Sequence, residues 1–127
     1  MEQRYLIDTN VIIDNFGNKL TEKGKNLLYS IDVTISAVTK IEVLGWINAT
    51  EEQLNPLYAF MEMATVLPIS EAVIERTIAI RQRKKIALGD AFIASTAIIH
   101  NMELYTLNVK DFRFLEDVKL FVNPYKI

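Results

Sequence analysis

Short apolar runs that stop at a small polar or acidic residue, with helix-length stretches between them, constrain this chain more than any other feature. Tyr5-Leu6-Ile7 ends at Asp8, and similar runs occupy Ile31 to Ile35, Val66-Leu67, Leu104 to Leu107 and Lys119 to Val122. Runs this brief and this apolar predict strands buried on both faces, the condition of a parallel sheet covered by helices. The intervening segments carry helix signals. Val11-Ile12-Ile13 predicts a short helix that Gly17 can end, and Thr21 caps a second over Glu22 to Tyr29. The hydroxyls of Ser36 to Thr39 suit the start of a helix running through Ile47, and Thr50-Glu51-Glu52-Gln53 is a capping-box sequence that opens a helix toward Met63. Ser70 caps a helix from Glu71 to about Arg83, and Leu88 to His100 reads as another. Such alternation predicts an α/β fold, a three-layer α/β/α sandwich around a mainly parallel sheet of about five strands. With no internal repeat and no Pro/Gly-rich linker, and with prolines scattered at Pro56, Pro68 and Pro124, residues 1–127 form a single domain.

Composition then removes whole classes of chemistry. The chain has no cysteine, so disulfide frameworks, thiolate metal sites and cysteine nucleophiles are excluded. Its one histidine, His100, makes a two-histidine metal site impossible within one chain and is better placed as a helix cap than as a catalyst. Carboxylates remain, and hard oxygen ligands favour magnesium or manganese. The formal net charge of −2 provides no global positive field for nucleic acid, so such a partner needs a local patch. The start of the chain reaches Asp8 too soon for a signal-peptide core, and no apolar run approaches the ~20 residues of a membrane span. A soluble cytoplasmic protein without a membrane partner is expected.

In a parallel α/β sheet, sites gather beyond the carboxyl ends of the strands, and several carboxylates fall there. Asp8 follows the first strand directly and is followed by Thr9 and Asn10; by itself it reads as the cap of the next helix. Glu42 could fold back to the amide of Thr39 in a capping box, yet on a helix it shares a face with Val38, Gly45, Trp46 and Ala49, where an acid is costly unless paired or bound to a cation. Asp90 leads a stripe of Ile93, Ala94, Ala97 and Ile98, and Gly89 before it permits another group to come close. Asn108 ends the Leu104 to Leu107 strand, with Asp111 three residues on; each alone reads as a turn or cap residue. Together these groups converge on one edge of the sheet. Crowded carboxylates raise one another's pKa unless a cation compensates, which leads to a divalent metal and to phosphodiester chemistry.

Four segments, Leu6 to Asp14, Ile35 to Leu44, Leu88 to Ala97 and Leu107 to Phe112, resemble the PIN-domain family in its own order, most closely its VapC-type toxins. That resemblance covers essentially the whole chain. It implies a Mg²⁺-dependent endoribonuclease, with Mn²⁺ as a substitute, acting as the toxin of a type II VapBC-like pair. Asp8, Glu42 and Asp90 match the family's three principal acids. The fourth acidic position falls where this chain has Asn108 and then Asp111. The resemblance implies that Asp8 and Asp90 hold the metal while Glu42 ligates it or positions the attacking water. Asn108 and Asp111 then act on the outer shell, and Thr9, Asn10 and Thr106 orient the inner carboxylates. It also implies a homodimer and a VapB-like antitoxin.

Arg76, Arg81, Arg83, Lys84 and Lys85 concentrate positive charge just before Asp90, and Arg81, Arg83, Lys84 and Lys85 are the expected RNA contacts, with Lys110 and Arg113 extending them. Trp46, Tyr58, Phe60, Met61 and Met63 should mostly be core. Two other readings compete. One is a non-catalytic PIN-like module that binds RNA or protein. The other is an aspartate-nucleophile phosphatase, which wants a second acid where Asn10 stands.

Overall fold

The computed structural model describes residues 4–121; the first three residues and the end of the chain from Val122, including the predicted close of the last strand and Pro124, lie outside it. Five strands form one sheet: β1 (Tyr5–Ile7), β2 (Thr34–Ser36), β3 (Thr65–Leu67), β4 (Glu103–Tyr105) and β5 (Leu120–Phe121). Their order is β3-β2-β1-β4-β5, and every neighbouring pair is parallel. The helices are α1 (Thr9–Phe16), α2 (Glu22–Ser30), α3 (Ala37–Leu44), α4 (Glu51–Met63), α5 (Glu71–Arg83) and α6 (Leu88–Ile99), and a 3₁₀ turn covers Val109–Asp111.

Successive side chains on β1 and β4 divide the core in two. Ile7 and Tyr105 join Val11, Ile12, Leu28, Ile35, Val43, Leu57, Phe60 and Met61 on one face, beneath α1 to α4. Leu6 and Leu104 join Ile80, Ile93, Ala94, Ala97, Met102, Phe112 and Leu115 on the other, beneath α5 and α6. Both sheet faces are thus covered, which is why these strands read as apolar runs without alternation. The expected three-layer α/β/α sandwich is the observed one. From β1 the chain winds outward through β2 and β3, then crosses back to β4 on the other side of β1. This makes the β1–β4 junction the switch point of the sheet, the position beyond whose strand ends sites gather in open α/β sheets.

Local details differ from the sequence reading at identifiable places. Helix α3 stops at Leu44 instead of running through Ile47. The Gly45 N–H bonds Ile41 O at 2.8 Å, and a Cβ at Gly45 would sit 2.6 Å from that same oxygen, so only glycine fits this close approach. Trp46 and Ile47 therefore leave the helix and stand 50% and 81% exposed, and Trp46 is not in the core as expected. On α4, Leu57, Phe60 and Met61 face the sheet, while Tyr58 and Met63 project from the other side and are exposed, contrary to expectation. Strand β2 begins later than Ile31, and β4 ends at Tyr105 because Thr106 and Leu107 already turn toward the site.

The Thr50 capping box forms as its sequence predicts: Thr50 Oγ1 accepts from Gln53 N at 3.2 Å, and Thr50 N donates to Gln53 Oε1 at 2.9 Å. Replacing Thr50 by Ala removes the bond that Thr50 Oγ1 accepts from Gln53 N and leaves the one from Thr50 N to Gln53 Oε1. Thermal unfolding of Thr50→Ala should show a loss of about 1 kcal/mol, a fall in Tm of roughly 3–6 °C, with binding and activity unchanged.

Candidate functional site

Asp8 sits where β1 ends, and its backbone N–H still pairs with Tyr105 O at 2.9 Å, tying it to β4 across the switch point. It is the N-cap of α1, its Oδ1 accepting from Thr9 N at 2.8 Å. Capping uses only part of the carboxylate. Oδ2 accepts from Asn10 Nδ2 at 3.0 Å and from the Thr106 hydroxyl at 2.8 Å. Asn10 in turn accepts from Leu107 N at 3.2 Å, and Thr106 Oγ1 accepts from Asn108 N at 3.0 Å, so the end of β4 is fastened to the same acid. Asp8 is 3% exposed. Its pKa is raised to about 6: burial raises it most, the Thr106 hydroxyl and the Thr9 amide lower it, and the charges of Asp90 and Glu42 raise it.

Asp90 occupies the first turn of α6, at the head of a helix whose Ala91, Ile93, Ala94 and Ala97 are buried. Its pKa is raised by burial first, then by the charge of Asp111, then by that of Glu42. Glu42 departs from the sequence reading in its exposure, and the structure also decides against one of its two readings. It is exposed, because α3 ends before Trp46 and Ala49 can complete an apolar face. The capping box with Thr39 does not form either: Ser36 is the N-cap of α3 and its Oγ accepts from Thr39 N at 3.0 Å. Glu42 instead reaches across to α1, where Thr9 Oγ1 donates to its Oε1 at 2.6 Å. Its other oxygen lies against Gly89, where a Cβ would come within 2.8 Å of Oε2. The close approach anticipated at Gly89 is thus made by Glu42.

Asn108 is exposed, and its side chain makes no capping bond to the 3₁₀ turn that follows. Of the two residues near the last motif, Asp111 is the one whose charge acts on Asp90. Among the described residues no group of three or more acids or histidines is arranged to hold a metal ion. The donor set nonetheless fits a hard divalent cation: all its oxygens come from carboxylates, hydroxyls and amides, and two of the acids carry pKa values that an added positive charge would lower. His100 caps the far end of α6, its N–H donating to Thr96 O at 3.1 Å, away from this chemistry.

The basic cluster divides between two surfaces. Arg83 and Lys84 line a cleft of about 520 Å³ together with Arg76 and Phe114, whereas Arg81 borders a different depression beside Leu88 and Phe92. Arg76 is bonded to Asp117 at 2.9 Å, so its charge is already matched. The residues that sequence reasoning left without a site role are Ser36 and Thr39, read only as caps. Their spacing of three, continued by Glu42, was the available signal, since such positions neighbour one another on a helix.

Because the folded Asp8 carboxyl titrates near 6 rather than at 3.8, the native state holds a proton there that the unfolded chain has released. Stability therefore falls as pH rises between these two values, by up to about 3 kcal/mol from this group. Urea unfolding in a chelator should show that decline, levelling off above pH 6. Asp90→Asn, which removes one of the charges acting on Asp8, should unfold at pH 7.5 no more easily than the parent protein.

The profile of the PIN domain matches residues 5–116. Ribonuclease VapC1 of Methanocaldococcus jannaschii is 34% identical over 125 residues, covering 94% of this chain and 86% of that protein. A toxin–antitoxin complex from Klebsiella pneumoniae contains a chain 34% identical, aligned over 97% of this chain and 99% of its own with a TM-score of 0.77. VapBC2 from Rickettsia felis, bound to a DNA fragment from its promoter, shares the fold with a TM-score of 0.84 at 20% identity, over 95% of this chain and 99% of that one. An unbroken match from the first strand through the last acidic motif, on a sheet whose switch point carries Asp8, establishes that this chain belongs to the PIN-domain family.

Proposed function

We propose that this protein is a metal-dependent endoribonuclease, the toxin of a VapBC-like toxin–antitoxin pair. The observation that carries this reading is the buried Asp8 carboxylate at the β1–β4 switch point, held by three donors and acted on by the charges of Asp90 and Glu42, in a chain of PIN-domain type. PIN nucleases are metal-dependent, and the relatives named as VapC ribonucleases and as toxin–antitoxin complexes support both the activity and an antitoxin partner. The ion best suited to these oxygens is Mg²⁺, with Mn²⁺ able to replace it.

Asp8 and Asp90 would hold the ion, and Glu42 would ligate it or orient the attacking water and accept the water's proton. When bound, a divalent ion would supply positive charge against the negative charge of the phosphodiester under attack. Thr9, Asn10 and Thr106 keep the inner carboxylates in place through the bonds described above. Asn108 and Asp111 act from the outer shell, Asp111 through its charge on Asp90. Arg81, Arg83, Lys84 and Lys85 receive RNA phosphates that the acids would repel; Arg83 and Lys84 share their cleft with Phe114 and with the carboxylates of Glu116 and Asp117. The toxin acts as a homodimer. No helix of the described residues is long and apolar enough to cross a membrane, and we assign the activity to the cytoplasm, where its RNA substrate is.

Purified protein freed of any copurifying partner should cut end-labelled RNA into discrete products in Mg²⁺ and stop when the ion is chelated. Asp8→Asn and Asp90→Asn should each lower the rate by roughly 10²-fold or more, since each removes a ligand of an ion worth several kcal/mol to the transition state. Intact RNA from protein that binds Mn²⁺ would instead favour a non-catalytic RNA- or protein-binding module. Gly89→Ala gives an independent check. The new methyl would meet Glu42 Oε2 at 2.8 Å and displace it, while alanine suits the helix better than glycine. Its Tm should hold or rise as cleavage falls by up to about 10²-fold.

A further inference from the structure

Ser36 is 1% exposed and Thr39 is fully buried, and both carry hydroxyls that the proposed reaction does not use. Thr39 Oγ1 lies 3.1 Å from Thr9 Oγ1 and 3.3 Å from Ser36 Oγ, and Thr9 Oγ1 lies 2.6 Å from Glu42 Oε1. A carboxylate can only accept, so the single hydroxyl hydrogen of Thr9 goes to Glu42. Thr9 Oγ1 is then the acceptor for Thr39, and Thr39 Oγ1 the acceptor for Ser36, whose own oxygen receives the Thr39 amide at 3.0 Å. Each hydroxyl thus gives its hydrogen toward Glu42, and each polarises the next in a buried setting where such bonds strengthen one another.

We propose that Ser36, Thr39 and Thr9 form a directed hydroxyl chain that fixes the Glu42 carboxylate over the site, with Thr39 as its central positioning residue. The inference rests on the ribonuclease reading for its consequence in catalysis. Glu42 is exposed and sits near the end of a short helix, so its own backbone gives it little restraint. Restraint comes from two sides: the chain through Thr9 on Oε1, and the bare Cα of Gly89 against Oε2. Thr39 touches neither oxygen and acts only through Thr9. Its hydroxyl also joins α3 to α1, so the cap of one helix and the position of an acid at the site are set by the same groups.

The test compares Thr39→Val with Thr39→Ser in the full chain, reading RNA cleavage in Mg²⁺ and, separately, Mn²⁺ binding by calorimetry, with thermal melts to establish folding. Valine keeps the shape of threonine and removes the hydroxyl; serine keeps the hydroxyl and removes a methyl. A packing role predicts that valine is tolerated better than serine. The hydroxyl chain predicts the reverse: Thr39→Val loses about 10–100-fold in cleavage rate at saturating RNA and about tenfold in Mn²⁺ affinity, and Thr39→Ser restores most of both. Valine matching the parent protein in both readouts, or serine failing to restore either, would overturn the proposal. If the parent protein binds Mn²⁺ but cuts no RNA, the ribonuclease reading fails and the Mn²⁺ series alone decides the chain: a tenfold loss in valine recovered in serine sustains it, and equal affinities refute it.

Discussion

The structure at the strand ends depends on one buried carboxylate that receives more hydrogen bonds than a helix cap requires. Asp8 closes β1, starts α1 and draws in Asn10 and Thr106, which in turn fix the backbone of Leu107 and Asn108 beyond β4. Two adjacent strands that send their crossovers in opposite directions are joined at their ends by a single acidic group. Burying that acid carries a free-energy cost, visible in its raised pKa, and the neighbouring Asp90 and Glu42 increase it. A fold tolerates such a cost where a site requires the charge.

Around that acid the other groups arrive by different routes. Asp90 comes with α6, whose small residues Ala91, Ala94 and Ala97 let the helix lie close on the sheet. Glu42 comes from α3, turned toward α1 by Thr9 and admitted by the missing side chain of Gly89. Asp111 comes with the turn after β4, which the buried ring of Phe112 anchors in the second core. None of these acids neighbours another in sequence. Only the parallel winding brings them to one edge.

Much of this was legible before any coordinates. The apolar run Tyr5 to Ile7 could only be a strand covered on both faces, and an acid directly after it had to lie at a strand end. The Thr50 box and the Ser70 cap were readable because capping is a local exchange within one turn. Where local signals competed, the reading went astray. Ser36 and Thr39 both offered a cap for α3, and the choice between them depended on where β2 stopped. Gly45 could have been an ordinary helical glycine, and its close approach to Ile41 O is a fact of the folded turn. Trp46 and Met63 looked like core because they are apolar, but apolar residues also lie outside a core when their helix turns the other face inward.

Sequence by itself determined the layer architecture, the absence of thiol and histidine-pair chemistry, and the placing of Asp8 at the end of the first strand, because these follow from residue type and short-range periodicity. Only tertiary structure decided that Glu42 is held by Thr9 rather than by its own helix, that the charge of Asp111 acts on Asp90 more than that of Glu42 does, and that the basic cluster splits between two surfaces. Those outcomes turn on distances between groups tens of residues apart along the chain, which are fixed by how α1, α3 and α6 pack against the sheet.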